Sequence, residues 1–271
     1  MAVASPTSAY HSFRNLPFTL GEGVADRAAI GVIVLASDQT LEHEWRQILG
    51  GIPGVGFYES RLWNDAVVTA EALAAMERDL ATATRLILPG LPIDVMAFGC
   101  ASGAIVIGED NVFSRIRSVR PEVPCTTPPT AAVAAFSALG ARRVALLTPY
   151  VDDINDTIRG FLIAKGLDVP VVASFTNDDD SEVARISLAS IERALTDIAA
   201  LRAVEAIYVS CTSLRLAGAI EELEAKVGLP ILSSNHAMAW HALRLAGCAD
   251  RIDGFGAIFR LGLDGAGAPD A

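Results

Sequence analysis

Two short stretches, "FGCASGA" at 98 to 104 and "VSCTSLR" at 209 to 215, each place a cysteine directly after a strand-like run, then a small or hydroxyl residue, then serine. A thiolate is a strong nucleophile, and a thiol can act as general acid or base. Two thiols on opposite faces of one bound carbon can remove and return a proton, or one can attack while the other protonates. Cys100 and Cys211 are therefore the catalytic candidates. The hydroxyls and amides around Ser102, Thr212 and Ser213 are placed to hold a carboxylate, although Ser and Thr are also ordinary helix caps. A helix starting after each cysteine would favour thiolate and offer amides to an anion. Free cysteine is more often a small buried apolar residue, and Cys125 and Cys248 read that way. Packing alone has no need of thiols at equivalent places in two halves.

Other chemistries find little support. The four cysteines form no C-x-x-C pair, and the spacing of His11, His43, His236 and His241 misses the usual metal-ligand patterns, so no metal is expected. "GGIPGVG" at 50 to 56 does not sit between a strand and a helix in the dinucleotide pattern, and no cofactor is expected. "NDDDSE" at 177 to 182 lacks the spaced ligands of a calcium loop. It reads as a solvated helix start, with Asp180 or Ser181 capping and Asn177 reaching the cleft. A formal charge of -11 without a Lys/Arg cluster argues against nucleic acid or an anionic membrane as partner, leaving small molecules. No uninterrupted apolar run reaches the length of a spanning helix. The N-terminus has neither a basic start nor an apolar segment, so a cytoplasmic protein with free thiols is expected.

The elements that would position the thiols alternate between strand and helix. "AIGVIVLA" (29 to 36) reads as a strand buried on both faces. A helix follows from Thr40, its cap, then the strand "VGFYESR", one long Ala-rich helix from about Val68 to Thr84, and the strand "IDVMAFG" leading into Cys100. A further helical stretch precedes the short strand "EVPCTT", whose prolines suit the first turn of the next helix. The second half repeats the series with "RRVALLT", a helix across 152 to 165, "VPVVASF", a helix from about Ser181 to Ala200, "EAIYVS" into Cys211, a helix across 214 to 227, and "LPILSS". Asp94 stands six before Cys100 and Glu205 six before Cys211, while "VPCTTPPTAAVAAFSALG" echoes "LPILSSNHAMAWHALRLAG". The expected fold class is α/β, with two pseudo-symmetric doubly wound lobes, each with a four-stranded parallel sheet, and the active site in the cleft between them. The expected division is an N-terminal arm (1 to 27) packed on the surface or on a second subunit, a first lobe of 28 to 127 plus 234 to 271, and a second lobe of 128 to 233.

"CASG", "TPYVDDIN", "SCTSLR" and "ELEAKVGLPILSSNHAMAWHALRLAG" resemble the aspartate/glutamate racemase superfamily over most of residues 28 to 260. Within it the chain is similar to the branch of maleate cis-trans isomerases, arylmalonate decarboxylases and ectoine-utilisation A proteins. The resemblance implies a cofactor-independent enzyme and a homodimer or higher homo-oligomer. Carried over from maleate isomerases, Cys100 would be the nucleophile and Cys211 the proton donor, Tyr150 would hydrogen-bond a substrate carboxylate, and Asn177 would take the place of a family Asn beyond the next strand. Arylmalonate decarboxylases keep only the second cysteine, so simple decarboxylation is the weaker reading.

One departure bears on the substrate. Where maleate isomerases read Pro-Ser-Ser-Asn-Thr-Thr-x-Glu-x-Glu, this chain has "LASDQTLEHE", which puts Asp38 in place of a carboxylate-binding Asn. An ionised Asp repels a carboxylate and attracts an amino or amidine group. The bland role of Asp38 is to cap the following helix. The same segment resembles the ectoine-utilisation A proteins, which implies an ectoine- or hydroxyectoine-derived amino acid as substrate. The expected function is an isomerase or racemase acting at a carbon next to a carboxylate. The alternatives are a maleate cis-trans isomerase, an arylmalonate-type decarboxylase and a non-catalytic metabolite-binding protein.

Overall fold

The computed structural model describes residues 11–65, 69–177 and 179–265. Its first half runs β1 (Ala28–Leu35), α1 (Leu41–Leu49), β2 (Val55–Leu62), α2 (Ala70–Ala75), a 3₁₀ turn (Met76–Asp79), α3 (Leu80–Leu86), β3 (Val95–Gly99), α4 (Ala101–Ile107), α5 (Glu109–Arg117), β4 (Cys125–Thr126) and α6 (Pro128–Leu139). The second runs β5 (Arg143–Thr148), α7 (Asp152–Ala164), β6 (Asp168–Ser174), α8 (Asp180–Val183), α9 (Leu188–Ala200), β7 (Ala206–Val209), a 3₁₀ turn (Ala217–Ala219), α10 (Ile220–Val227), β8 (Ile231–Ser233), α11 (Ser234–Leu245) and a last 3₁₀ turn (Ala257–Arg260). The strands form two all-parallel four-stranded sheets, ordered β2-β1-β3-β4 and β6-β5-β7-β8. The α/β class and the repeated sheet are as the sequence implied.

The repeat extends to how strands start. Asp94, just before β3, accepts the Ala29 N–H of β1 at 2.7 Å, and Glu205, just before β7, accepts the N–H groups of Arg142 and Arg143 at 2.7 and 3.0 Å. Each carboxylate satisfies backbone donors at the leading end of the neighbouring central strand, where no ladder partner is available. β1 is buried along its whole length, as its unbroken apolar run requires. Thr127 caps α6 by accepting the Thr130 N–H, with Pro128 and Pro129 in the first turn.

The closing helix of each half crosses to the other. α11 follows β8 of the second sheet yet lies against α1, β1, β3 and β4 of the first, and it packs along α6. α6 follows β4 of the first sheet, but Phe136 meets Tyr208 of β7 edge-on at 6.3 Å between centroids.

Three expected helices are divided. The one expected over 68 to 84 breaks at the Met76–Asp79 3₁₀ turn, which re-aims the chain so that α2 and α3 pack on different neighbours. Its first residue, Val68, lies outside the described residues. The helix expected over 181 to 200 breaks at Ala184 to Ser187, where Ser187 starts α9 by accepting the Ser190 N–H. The helix expected over 214 to 227 begins only as a 3₁₀ turn at Ala217, because cross-element hydrogen bonds occupy the preceding backbone. Of the arm, residues 11 to 24 are exposed, with Phe13, Phe18 and Leu20 open to solvent. Residues 1–10 and 266–271 fall outside the described set. Among the described residues no helix is long and apolar enough to cross a membrane.

Phe136 is fully buried at the crossing. Phe136→Ala is expected to destabilise the protein by about 3–5 kcal/mol in urea unfolding followed by circular dichroism.

Candidate active site

Both cysteines stand where a strand ends. Cys100 follows β3 and is the N-cap residue of α4, its sulfur accepting the Gly103 N–H at 3.2 Å and lying 4.0 Å from Ser102 Oγ. Gly103 is needed for this approach. A Cβ there would lie 2.8 Å from the Cys100 sulfur and 2.5 Å from the Met76 Cε. Cys211 follows β7, and its sulfur accepts the Ser213 N–H at 3.4 Å. No helix starts directly after it, contrary to the symmetry read from the sequence; residues 212 to 216 form an irregular turn. The Tyr150 hydroxyl, just beyond β5, lies beside the Cys211 thiol.

The turn carrying Cys211 is held from the other half of the chain. Glu44 of α1 is buried, and its Oε1 accepts the N–H groups of Leu216 and Ala217 at 2.7 and 2.6 Å. Its Oε2 accepts from Asn235 Nδ2 of α11 at 2.8 Å, and the same Nδ2 donates to the Thr212 carbonyl at 2.8 Å. Thr40 Oγ1 donates to the Ser213 carbonyl at 2.9 Å, and Trp45 Nε1 to the Asn235 carbonyl at 3.0 Å. Burial pushes the Glu44 carboxyl up to about 7, although the three N–H donors favour its anion.

Between the halves lies a narrow cavity. Leu35, Ala72, Leu73 and Met76 make its apolar side; Cys100, Ser102, Tyr150, Asp180, Cys211, Thr212 and Ser213 make its polar side. The space open to the centre of a water-sized sphere is about 20 Å³, room for one water. Desolvation dominates the electrostatics, pushing both Cys100 and Cys211 up to about 12 and the Tyr150 phenol well above its ordinary value. The Asp180 carboxylate raises all three further, while the backbone N–H groups on each sulfur oppose the shift. The N–H group at the start of α4 favours the Cys100 thiolate, as expected of a helix N-terminus, but burial outweighs it. His236 and His241 are buried elsewhere, in the α11 core, and are held near 4 by desolvation, so neither is a base for this cavity. Among the described residues no three His, Cys, Asp or Glu side chains converge as metal ligands.

Of the residues singled out from the sequence, Cys100, Ser102, Tyr150, Cys211, Thr212 and Ser213 are brought together around the cavity. Asp38 and Asn177 do not line it. Asp38 Oδ1 accepts the N–H groups of Thr40 and Leu41 at 2.7 and 2.8 Å, so Asp38, not the Thr40 side chain, caps α1. Its Oδ2 faces the Thr212 side chain without a well-formed hydrogen bond. Asn177 donates to Glu182 Oε2 at 2.9 Å and accepts the Asp179 N–H at 2.9 Å, which turns it away from the cavity. Asp179 caps α8, in place of the expected Asp180 or Ser181, and Asp180 reaches the cavity instead. The sequence reading missed Asp180 and Glu44. The first was hidden in an acidic run read as solvated, and the second in a helix read only for its apolar spacing.

Three outcomes follow. A thiol at about 12 carries about a thousandth of the thiolate of one at 9. Iodoacetamide at neutral pH should therefore modify Cys100 and Cys211 of the ligand-free protein far more slowly than a free thiol, as read by peptide mass spectrometry. The same raised values mean that the folded state holds these protons more tightly than the unfolded state. Their contribution to stability is complete below pH 9 and is lost as pH rises toward 12. Glu44→Ala leaves three buried N–H donors without their acceptor, at a cost of about 3 kcal/mol or more. It should lower the thermal midpoint measured by calorimetry.

The comparisons with known proteins agree with this geometry. A family profile described as "Arylmalonate decarboxylase" matches residues 109–259, more than half of the chain. The arylmalonate decarboxylase of Bordetella bronchiseptica is 38% identical over 144 residues, covering 51% of this chain and 58% of that protein. The maleate isomerase of Nocardia farcinica is 28% identical over 244 residues, covering 85% of this chain and 95% of that protein. Among solved structures, a cysteine-to-serine variant of the Nocardia farcinica maleate cis-trans isomerase with a covalently bound succinylcysteine intermediate superposes with a TM-score of 0.78 at 26% identity, covering 86% of this chain and 98% of that one. The maleate isomerase of Pseudomonas putida S16 superposes with a TM-score of 0.76, also at 26% identity, covering 86% of this chain and 98% of that one. The duplicated parallel sheets, the paired thiols and these matches lead to one conclusion: the chain belongs to the arylmalonate decarboxylase family, within the maleate isomerase branch of the Asp/Glu racemase superfamily.

Proposed function

We propose that this protein is an isomerase of racemase or epimerase type that needs no cofactor and works with Cys100 and Cys211 as its acid and base. The observation that carries the reading is that two thiols, from equivalent strand ends of the two halves, line one narrow cavity in which, among the described residues, no His, Lys or Arg side chain takes part. In the proposed cycle one cysteine, as thiolate, takes the proton from the carbon next to a carboxylate. The C–H bond breaks, an S–H bond forms, and the electron pair is delocalised into the carboxylate. The opposing thiol then gives its proton to the other face and becomes the thiolate. Hydroxyls of Ser102, Tyr150 and Thr212 and the amides of the two turns hold the carboxylate as its charge grows. Each turnover leaves the pair in the mirror protonation state, ready for the reverse direction.

As substrate we propose a small amino-acid derivative of the ectoine or hydroxyectoine type, a reading that rests on the resemblance of the segment around Asp38. The protein would then act in the cytoplasm, as expected from its N-terminus, and as a homodimer or higher homo-oligomer, as the family resemblance implies. Maleate isomerisation is the second reading, favoured by maleate isomerases that match the chain along 82 to 85% of its length. There the Cys100 thiolate adds to one alkene carbon while Cys211 protonates the other. Rotation about the new single bond and loss of thiolate and proton then give the trans isomer.

The test is proton NMR in deuterated buffer with wild type, Cys100→Ser and Cys211→Ser, offered maleate, aspartate, 3-hydroxyaspartate and ectoine-derived amino acids. The expected outcome is α-proton exchange or isomerisation of one compound by wild type, falling by about a hundredfold or more in both variants. Full activity in Cys100→Ser with release of carbon dioxide would instead indicate a decarboxylase. Binding without exchange across the panel would indicate a binding protein.

A further inference from the structure

Among the described residues, Asp180 is the one acidic side chain that is both buried and part of the polar wall of the two-thiol cavity; it is 9% exposed. It sits at the start of α8, at the point where Asp179 takes over the capping role and frees it to turn inward. Ser37 Oγ from the loop after β1 donates to its Oδ2 at 2.9 Å, and the Ser213 side chain lies beside it. Ser37 is itself held by Asn64, whose Nδ2 donates to Ser37 Oγ at 2.8 Å and whose Oδ1 accepts the Ser37 N–H at 3.1 Å. The carboxylate is therefore fixed from both halves, and with about four lone-pair sites it keeps capacity for a ligand donor.

We propose that Asp180 selects the substrate by accepting its cationic end, an ammonium or amidinium group, while the carboxylate of the same molecule lies toward the thiols and hydroxyls. The inference rests on the two-thiol reading above and adds the substrate's charge pattern to it. Among the described residues no cationic side chain lines the cavity to neutralise a second carboxylate, and Asp65, also on its lining, adds to the negative field. In a space with room for one water, like charges are poorly screened and a dicarboxylate is disfavoured. An opposite charge placed there forms a charge-assisted hydrogen bond instead.

The arrangement also couples recognition to reactivity. Asp180 opposes ionisation of Cys100, Cys211 and Tyr150 together. A cationic group seated on it cancels that charge, so a thiolate becomes accessible only with a matching molecule in place. A dicarboxylate would leave both thiols suppressed.

The proposal is tested by calorimetry with succinate and 3-amidinopropionate, which share shape and one carboxylate but carry opposite charge at the other end. Wild type is expected to bind the amidine about tenfold or more tightly than succinate. Asp180→Asn should erase or reverse that order, whereas Asp180→Glu, which keeps the charge, should retain it. Circular dichroism checks that the variants are folded; if Asp180→Asn is not, the wild-type ratio decides. Equal or tighter succinate binding by wild type overturns the proposal, because it would mean a neutral Asp180 donating to a carboxylate. An unchanged order in folded Asp180→Asn, or no measurable amidine binding by wild type, overturns it as well. Binding is read without turnover, so failure here is distinct from retained exchange activity in the cysteine variants, which would sink the two-thiol reading itself.

Discussion

A single carboxylate spans the two halves where the chemistry is placed. Glu44 belongs to the first half, yet it collects two backbone N–H groups from the turn after β7 and an amide N–H from α11. Three donors converging on one side chain suit a carboxylate, which accepts at both oxygens, and do not suit an amide, which has one acceptor oxygen and an NH₂. The same contact explains why the chain after Cys211 departs from the helix that follows Cys100. Backbone groups that would have entered a helix are committed to Glu44, Thr40 and Asn235. The halves are alike in sheet order and unlike in this one turn, and that asymmetry gives the two thiols different surroundings.

Desolvation sets the character of the cavity. Each sulfur receives a backbone N–H, but neither contact offsets the loss of water, so the ligand-free site rests with both thiols protonated. Reactivity must come from what the substrate brings, including the displacement of water and any charge it sets against Asp180. A protected pair of this kind is also shielded from oxidation, which follows thiolate character and exposure.

Much of this was legible in the sequence, and the failures share a cause. The parallel strands were visible as unbroken apolar runs, and the duplication as matching residues around Cys100 and Cys211. Six of the eight predicted site residues meet at the cavity because strand ends in such sheets converge there. Asp38 and Asn177 failed because short polar side chains near a helix start find the backbone first, and local hydrogen bonds consumed both. Asp180 was hidden for the converse reason: its neighbour Asp179 took the cap, a choice among adjacent acids that no periodicity records. The helix break at Met76 likewise goes with different packing partners for α2 and α3, whereas the break at Ala184 to Ser187 is made locally by the Ser187 cap of α9.

The crossing of α6 and α11 has a consequence for how such a chain can be divided. Each sheet is covered by a helix that the other half supplies, so a half cut at the residues joining them would keep its strands and lose part of its cover. Two copies of such a half could repair the defect by exchanging their last helices, which is domain swapping about a two-fold axis. The present molecule has the geometry of that exchange written into one chain. A swapped pair of identical halves must carry identical thiol turns, whereas a fused pair is free to make them differ, as the turn held by Glu44 does.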